Sequence, residues 1–498
     1  MNSKKKAIVH YGVLSFIAFV FLLFYSYSTS PLFSNNFGVL DSSLFMLIGK
    51  GITKGYMPYL NLFDHKGPIL FFIEAFGWLI MPNRLGNFFI QWVFMVANLT
   101  LIFKIGQLFL NKKWSWVPII FFLLILTVTF EGGNLTEEYS LPFLFLPLYL
   151  SLKSLKEESN GKAQHPPLYA LIYGICFTLL IFIRLNNAVL IGAIILVIMI
   201  HLLINKAYRN FFDNVLTFLS GSIFIFSGIA IYFLMNNAFG EMLYATFLFN
   251  FKYAETAKGI TTVADLLYFF YYVSPVIFSG VMGLYYCLKK EKKTIGLLLA
   301  VASTVTFFSL SMGGNYYHYF TLTTPCFVLG IVLLIDLTLE KGKELWQKGH
   351  RIITMGVLTL FLITSGIYMS LSYLATREVA DLIINQPQKE YYDTALSTAS
   401  LIPLVDRNSV LGYSVPAGWF IMTDIMPCYK YFTLQEWWGL YDPNVISATN
   451  EMLEKNPPKW IVMANNKQTN QKIYDILAEK YQLITKDKVV TLYHLITE

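Results

Sequence analysis

The sequence is short of charge. Asp, Glu, Lys and Arg make up 13% of its 498 residues, while 56% are hydrophobic. A soluble domain carries about 25% charged residues, so this chain cannot cover a water-facing surface, and a soluble globular protein is excluded. Cysteine is as sparse. Cys176, Cys287, Cys326 and Cys428 form no CxxC pair, which removes a disulfide framework and a thiolate metal site and leaves small buried hydrophobes. The apolar runs lack acids and bases: Asp213, Asp265 and Asp336 fall at their ends, and Lys104 can snorkel to an interface. Ion-coupled transporters place ionisable groups near mid-membrane, so that scarcity counts against transport.

Long hydrophobic runs fill the space instead, with a mean hydropathy of +0.54. A spanning helix needs about 20 mostly apolar residues. Eleven spans are expected, at 8–29, 87–110, 114–130, 141–155, 167–183, 186–204, 211–235, 264–288, 294–311, 319–340 and 351–373. The first is expected to be an uncleaved anchor, although its basic start and small-residue end also fit a cleaved signal. The net charge of +7 sits in short Lys/Arg clusters between runs, a pattern of membrane orientation rather than of a nucleic-acid face. With the N-terminus inside, Lys4–Lys6, Lys112/Lys113, Lys153/Lys156/Lys162, Lys206/Arg209, Lys289/Lys290/Lys292/Lys293 and Lys341/Lys343/Lys348/Arg351 all face the cytoplasm. Residues 68–81 look like a twelfth span, but a crossing there would invert every later cluster. They are therefore expected as a helix in or dipping into the outer interface, with Glu74 toward protein or water.

The chain divides into a multi-pass domain, 1–374, and a polar tail, 375–498, expected outside. In the tail Val410–Tyr413, Trp460–Met463, Leu483–Ile484 and Val489–Tyr493 read as strands, and Val445–Lys455 and Gln468–Tyr481 as helices. This alternation predicts a small α/β domain. It has no Gly-rich phosphate loop, so its expected role is support or acceptor recognition.

The chemistry-capable residues gather in the outer loops. The first, 30–86, holds Asp41, Tyr59, Asp64, His65 and Lys66; the second, 131–140, holds Glu131, Gly132-Gly133-Asn134, Glu137 and Glu138. Arg184 and the stretch Gly313-Gly314-Asn315-Tyr316-Tyr317-His318-Tyr319 share that side. Acids, bases and cations on one face suit transfer from a lipid phosphate. A carboxylate accepts the acceptor's proton, and Lys or Arg balances the charge growing on the leaving phosphate. Asp41 is the candidate base, and Lys66, Arg184 and His318 are candidates for the donor phosphate. Glu137 or Glu138 would orient Asp41, bind acceptor or, with Asp41, hold a divalent metal. Each has a plainer alternative. Asp41 also fits a helix cap before Ser42-Ser43-Leu44, and Glu137-Glu138 fits a cap for the span at Leu141. Lys66 and His318 fit interfacial side chains, and Arg184 fits a structural ion pair.

The run Gly55-Tyr56-Met57-Pro58-Tyr59-Leu60-Asn61-Leu62-Phe63-Asp64-His65-Lys66-Gly67-Pro68, with Asp41 upstream, resembles the first outer loop of bacterial GT-C membrane glycosyltransferases. These are the relatives of protein O-mannosyltransferases and of the lipid A aminoarabinose transferase. The resemblance extends to Glu137-Glu138-Tyr139, Arg184-Leu185-Asn186-Asn187 and residues 313–319. It departs at Ser42, where many relatives have an acid, and at Gly67-Pro68, where relatives have Pro-Pro. It implies a GT-C-like helical membrane fold with Asp41 as base, Lys66 on the donor phosphate and Glu137 or Glu138 as the second acid. It also implies an inverting transferase that moves a sugar from a polyprenyl-phosphate carrier to an acceptor hydroxyl outside the plasma membrane. A lipid-linked glycan flippase and a non-catalytic envelope assembly factor are the alternatives. Membrane lipids, the lipid-linked donor and a glycan, protein or lipid acceptor are the expected partners, and nucleic acid is not.

Overall fold

The computed structural model describes residues 3–33, 40–158, 163–256, 261–289, 293–312, 314, 316–345 and 351–496. Lys162, Lys290, Lys292, Lys348, Gly313 and Asn315 lie outside them, as do the side chains of Lys4–Lys6, Lys289, Lys341 and Lys343. Each expected span is helical. After α1 (Ser3–Tyr25) come two loop helices, α2 (Leu40–Thr53) and α3 (Pro68–Ile80), and then α4 (Arg84–Phe109), α5 (Val117–Thr129), α6 (Thr136–Glu157), α7 (Pro167–Ile181), α8 (Val189–Ile204) and α9 (Tyr208–Met235). The short α10 (Phe239–Leu243) and α11 (Phe249–Thr256), joined by a π-turn, lead to α12 (Val263–Lys289), α13 (Lys293–Ser311), α14 (Thr324–Leu345) and α15 (Arg351–Asn385). Among the described residues, 8 helices are long and apolar enough to cross a membrane, and α5 and α7 are shorter apolar helices. The chain is a multi-pass membrane protein.

Helix α3 has 13 residues, about 20 Å, and joins α5 and α7 among the apolar helices shorter than a hydrocarbon core of about 30 Å. Pro68 starts it at a position where a missing N–H costs nothing. It buries Leu70, Phe71 and Glu74 and leaves Phe76 and Leu79 exposed as an apolar outer face. Glu74 is turned fully into protein, and Asn87 of α4 donates to its carboxyl.

The tail continues through α16 (Lys389–Ser400), β1 (Val410–Tyr413), α17 (Ala417–Thr423), α18 (Gln435–Tyr441), α19 (Asn444–Lys455), β2 (Trp460–Ala464), α20 (Gln471–Lys480), β3 (Tyr481–Lys486) and β4 (Val490–Leu495). Its sheet has the order β1-β2-β4-β3, with β1 and β2 parallel and the other pairs antiparallel. Alternate side chains serve two cores. Leu411, Tyr413, Ile461 and Met463 pack with Ile473 and Leu477 of α20. Val410, Trp460, Val462 and Leu492 belong instead to a core shared with Leu44, Phe45, Tyr59 and Phe63 of the first loop. Lys50 of α2 meets Asp424 at 2.6 Å, and the Phe63 N–H donates to the Lys430 carbonyl at 3.0 Å. The tail is thus seated on the loop-bearing end of the bundle.

Candidate functional site

The first loop is folded around Tyr59. This residue has φ of 69°, an uncommon conformation for a side chain of its size, held because its ring is wholly buried. Its N–H donates to the Leu62 carbonyl at 2.8 Å, and its hydroxyl donates to the Lys66 carbonyl at 2.8 Å. Tyr59 therefore positions Asp64-His65-Lys66 from behind and lines no part of the cavity they face.

The Lys66 ammonium donates to His65 Nε2 at 2.9 Å. The other ring nitrogen, Nδ1, lies 3.1 Å from Asp64 Oδ1, without hydrogen-bond alignment. Burial and the adjacent Lys66 charge hold the His65 pKa below its ordinary 6.5, against the pull of Asp64. Burial alone would raise the Asp64 carboxyl, but Lys66 and His65 outweigh it and lower its pKa. A neutral histidine thus serves as the acceptor that aims the lysine.

Gly67 then brings this segment against the end of α7. Its N–H donates to the Ile183 carbonyl at 3.1 Å, and the Ile69 N–H to the Phe182 carbonyl at 3.0 Å. A side chain at 67 would meet the Phe182 carbonyl oxygen at 2.1 Å. Arg184 follows that contact. It forms an ion pair with Glu137 and stacks on Tyr319, its guanidinium 3.7 Å from the ring centre.

The second loop turns through four consecutive left-handed residues, Glu131, Gly132, Gly133 and Asn134. Side chains at the two glycines would strike Tyr27, Phe130 and Gln91, so glycine is required at both places. Glu131 and Asn134 accept a strained conformation that tends to accompany function. The turn points Glu131 at His318 Nδ1. It also sets the Asn134 N–H on Glu138, whose carboxylate takes two further bonds, at 2.9 and 3.1 Å, from Gln91 of α4.

Asp41, Asp64, His65, Lys66, Glu131 and His318 converge on a cavity of about 270 Å³. Tyr253, Tyr316 and Tyr319 complete its walls, and Leu434, Trp437 and Trp438 close it from the tail. Asp41 sits in the first turn of α2, half-buried, with no hydrogen-bond or ion-pair partner among the described residues. A smaller cavity of about 140 Å³ adjoins at His65, Tyr253 and Tyr319 and contains Arg184. Glu137 and Glu138 line neither cavity; they are buried, one holding Arg184 and the other holding the second loop. The structure therefore brings Asp41, Asp64, His65, Lys66 and His318 together, with Arg184 next door, and sets Tyr59, Glu137 and Glu138 behind them. For the sequence pair Asp41 and Glu138 as metal ligands, the Glu138 oxygens are already bonded to Gln91 and Asn134. Among the described residues no three His, Cys, Asp or Glu side chains gather as a metal site.

Sequence reasoning placed Glu131 in the second outer loop but gave it no role, and it overlooked Tyr253 and the tail residues as parts of the site. Tyr253 arrives because Asn250, one turn earlier on α11, donates to the His65 carbonyl at 2.7 Å. Trp437 packs against His65 and Tyr253 with tilted rings, their centres 5.8 and 5.7 Å from its own. The adjacent Trp437-Trp438 pair in a polar tail was the one signal available.

No protein-family model and no curated protein matches the sequence. Solved structures do match its fold. The lipid A aminoarabinose transferase ArnT from Cupriavidus metallidurans, bound to undecaprenyl phosphate, aligns over 98% of this chain and 98% of its own, with a TM-score of 0.60 and 11% identity. The oligosaccharyltransferase from Archaeoglobus fulgidus, tethered to an acceptor peptide containing the NVT sequon, aligns over 98% of this chain and 74% of its own, with a TM-score of 0.51 and 12% identity. The chain has the GT-C fold that its first-loop resemblance implies.

Proposed function

We propose that the chain is an inverting glycosyltransferase that moves a sugar from a polyprenyl-phosphate carrier to an acceptor hydroxyl on the outer face of the plasma membrane. The observation that carries this reading is the cavity in which Asp41, a carboxylate with no partner among the described residues, shares a wall with Lys66. Those are the two groups a one-step displacement from a lipid phosphate requires. The undecaprenyl phosphate of the ArnT structure supports the donor class, and the Lys/Arg clusters between alternate apolar runs support the orientation.

Asp41 accepts the proton of the acceptor hydroxyl as that oxygen attacks the anomeric carbon. The bond from that carbon to the phosphate oxygen breaks, and the electron pair leaves with polyprenyl phosphate. Lys66, aimed by His65, balances the charge that grows on the phosphate. Arg184 is already neutralised by Glu137, so its part is to offer remaining N–H donors from the adjoining cavity. Attack from the face opposite the phosphate inverts the anomeric configuration. Tyr253, Tyr316 and Trp437 wall the reacting centre.

The test is release of free polyprenyl phosphate from a lipid-linked sugar by the purified protein in membranes. Release with transfer to an acceptor supports the reading; translocation of an intact lipid-linked sugar without release replaces it with a flippase. Mass spectrometry of envelope glycans with and without the protein identifies the sugar moved.

A further inference from the structure

Beside the cavity at Asp41 and Lys66, a second cavity of about 360 Å³ also has Glu131 in its wall, within the range of small-molecule sites (about 300–1,000 Å³). Glu131 is common to both cavities, and His318, which holds its carboxylate, lines the first. Two features of the second cavity stand out. Its charged lining residues, Glu131 and Glu378, are both acidic, and four tyrosines, Tyr25, Tyr27, Tyr272 and Tyr317, supply much of the rest. It shares the wall residues Tyr25 and Val379 with a groove of about 560 Å³ between α1, α5 and α15.

That groove is apolar. Phe16, Phe21, Phe24, Leu123 and Ile383 line it, and Phe16 and Phe24 are exposed toward the membrane. The polar side chains at its wall among the described residues, Tyr25 and Thr376, share a 2.7 Å hydrogen bond at the end nearer the second cavity, and the other lining residues are apolar. From membrane to site the order is therefore hydrocarbon, then tyrosine hydroxyls and carboxylates, then the cavity of Asp41.

We infer that this path is the entry and binding site of the acceptor, and that the acceptor is a membrane-embedded glycolipid with a neutral, hydroxyl-rich head. Its tail lies in the groove of α1, α5 and α15, and its head passes Glu131 to reach Asp41. The inference rests on the transferase reading and names the substrate class it leaves open. Charge decides between the two lipids of the reaction. The donor's phosphate needs the Lys66 side; in the second cavity it would face two carboxylates, and like-charge juxtaposition repels it. Hydroxyls, by contrast, donate to carboxylates and exchange hydrogen bonds with tyrosines.

The experiment measures lipid binding by native mass spectrometry of the full chain in phosphatidylcholine nanodiscs. The probes are glucosyl-dioleoylglycerol, dioleoyl phosphatidic acid and undecaprenyl phosphate. Glucosyl-dioleoylglycerol is expected to bind over background lipid and over phosphatidic acid. Ala380→Trp, which fills the groove from an exposed position, should weaken it at least tenfold, and Ala375→Phe in the second cavity should do the same. Undecaprenyl phosphate should be unaffected by both variants, which also reports intact folding, and should be weakened by Lys66→Ala. Loss of undecaprenyl phosphate binding in Ala380→Trp would assign the groove to the donor tail and overturn the inference. Equal binding of glucosyl-dioleoylglycerol and phosphatidylcholine would overturn it too, leaving the groove to bulk lipid. Absence of undecaprenyl phosphate binding in the wild-type chain would instead strike at the transferase reading, and the two failures are thereby told apart.

Discussion

The backbone of Gly67 runs so close to Phe182 that a Cβ at 67 would lie 2.1 Å from the Phe182 carbonyl oxygen. The contact joins the segment carrying Lys66 to the end of α7 just before Arg184, and it is sealed by the Gly67 N–H on the Ile183 carbonyl. Proline at this position, as in the resembling transferases, could not make that bond. The departure from Pro-Pro is therefore part of how this chain joins its two cationic segments.

Gly67→Ala should force the two backbones apart. Overpacking of this kind costs about 1–3 kcal/mol, and the displacement of Lys66 should lower transfer at least tenfold. Thermal unfolding in detergent and a transfer assay read the two effects. An alanine variant with wild-type stability and activity would show that the contact is dispensable.

The Arg184–Glu137 pair predicts strong non-additivity. Glu137 is almost fully buried and Arg184 nearly so. Removing one partner of a buried pair costs about 3–5 kcal/mol, because the other charge is left uncompensated. Arg184→Gln should therefore destabilise markedly, and adding Glu137→Gln should restore much of the loss. A double-mutant cycle on unfolding free energy measures the coupling; additive effects would mean the pair is not formed.

His65 gives stability a pH dependence of known sign. Its folded pKa lies below 6.5, so the unfolded chain takes up the proton first as pH falls. Stability contributed by neutral His65 is full above about pH 6.5 and declines below it until the folded pKa is reached. Asp64, with a folded pKa below 3.8, acts in the same direction at lower pH. Melting curves between about pH 7.5 and 5 should slope downward, and His65→Gln should flatten them. An unchanged slope in that variant would place the titration elsewhere.

Much of this was legible in sequence, for identifiable reasons. Spans announce themselves through length and apolarity, and residues 68–80 form the short apolar helix α3, whose interfacial placement rests on the basic clusters. The buried strands β1 and β2 were visible as short apolar runs. What sequence could not show was depth behind the cavity. Asp41 and Glu138 are both acids near a span end, but one faces space and the other is held by Gln91 and Asn134, a difference made by α4. Tyr59 and Lys66 are seven residues apart, and only the turn between them shows that one supports the other. The helices α10 and α11 and the approach of Trp437 depend on contacts across long stretches of chain, to which local periodicity is blind.

The central claim is that Asp41 takes the acceptor's proton while Lys66 holds the donor. The most direct measurement compares Asp41→Asn with the wild-type chain for polyprenyl phosphate release and for binding of the lipid-linked donor. The account predicts normal expression, membrane insertion and donor binding with release abolished. Full release by Asp41→Asn would contradict it.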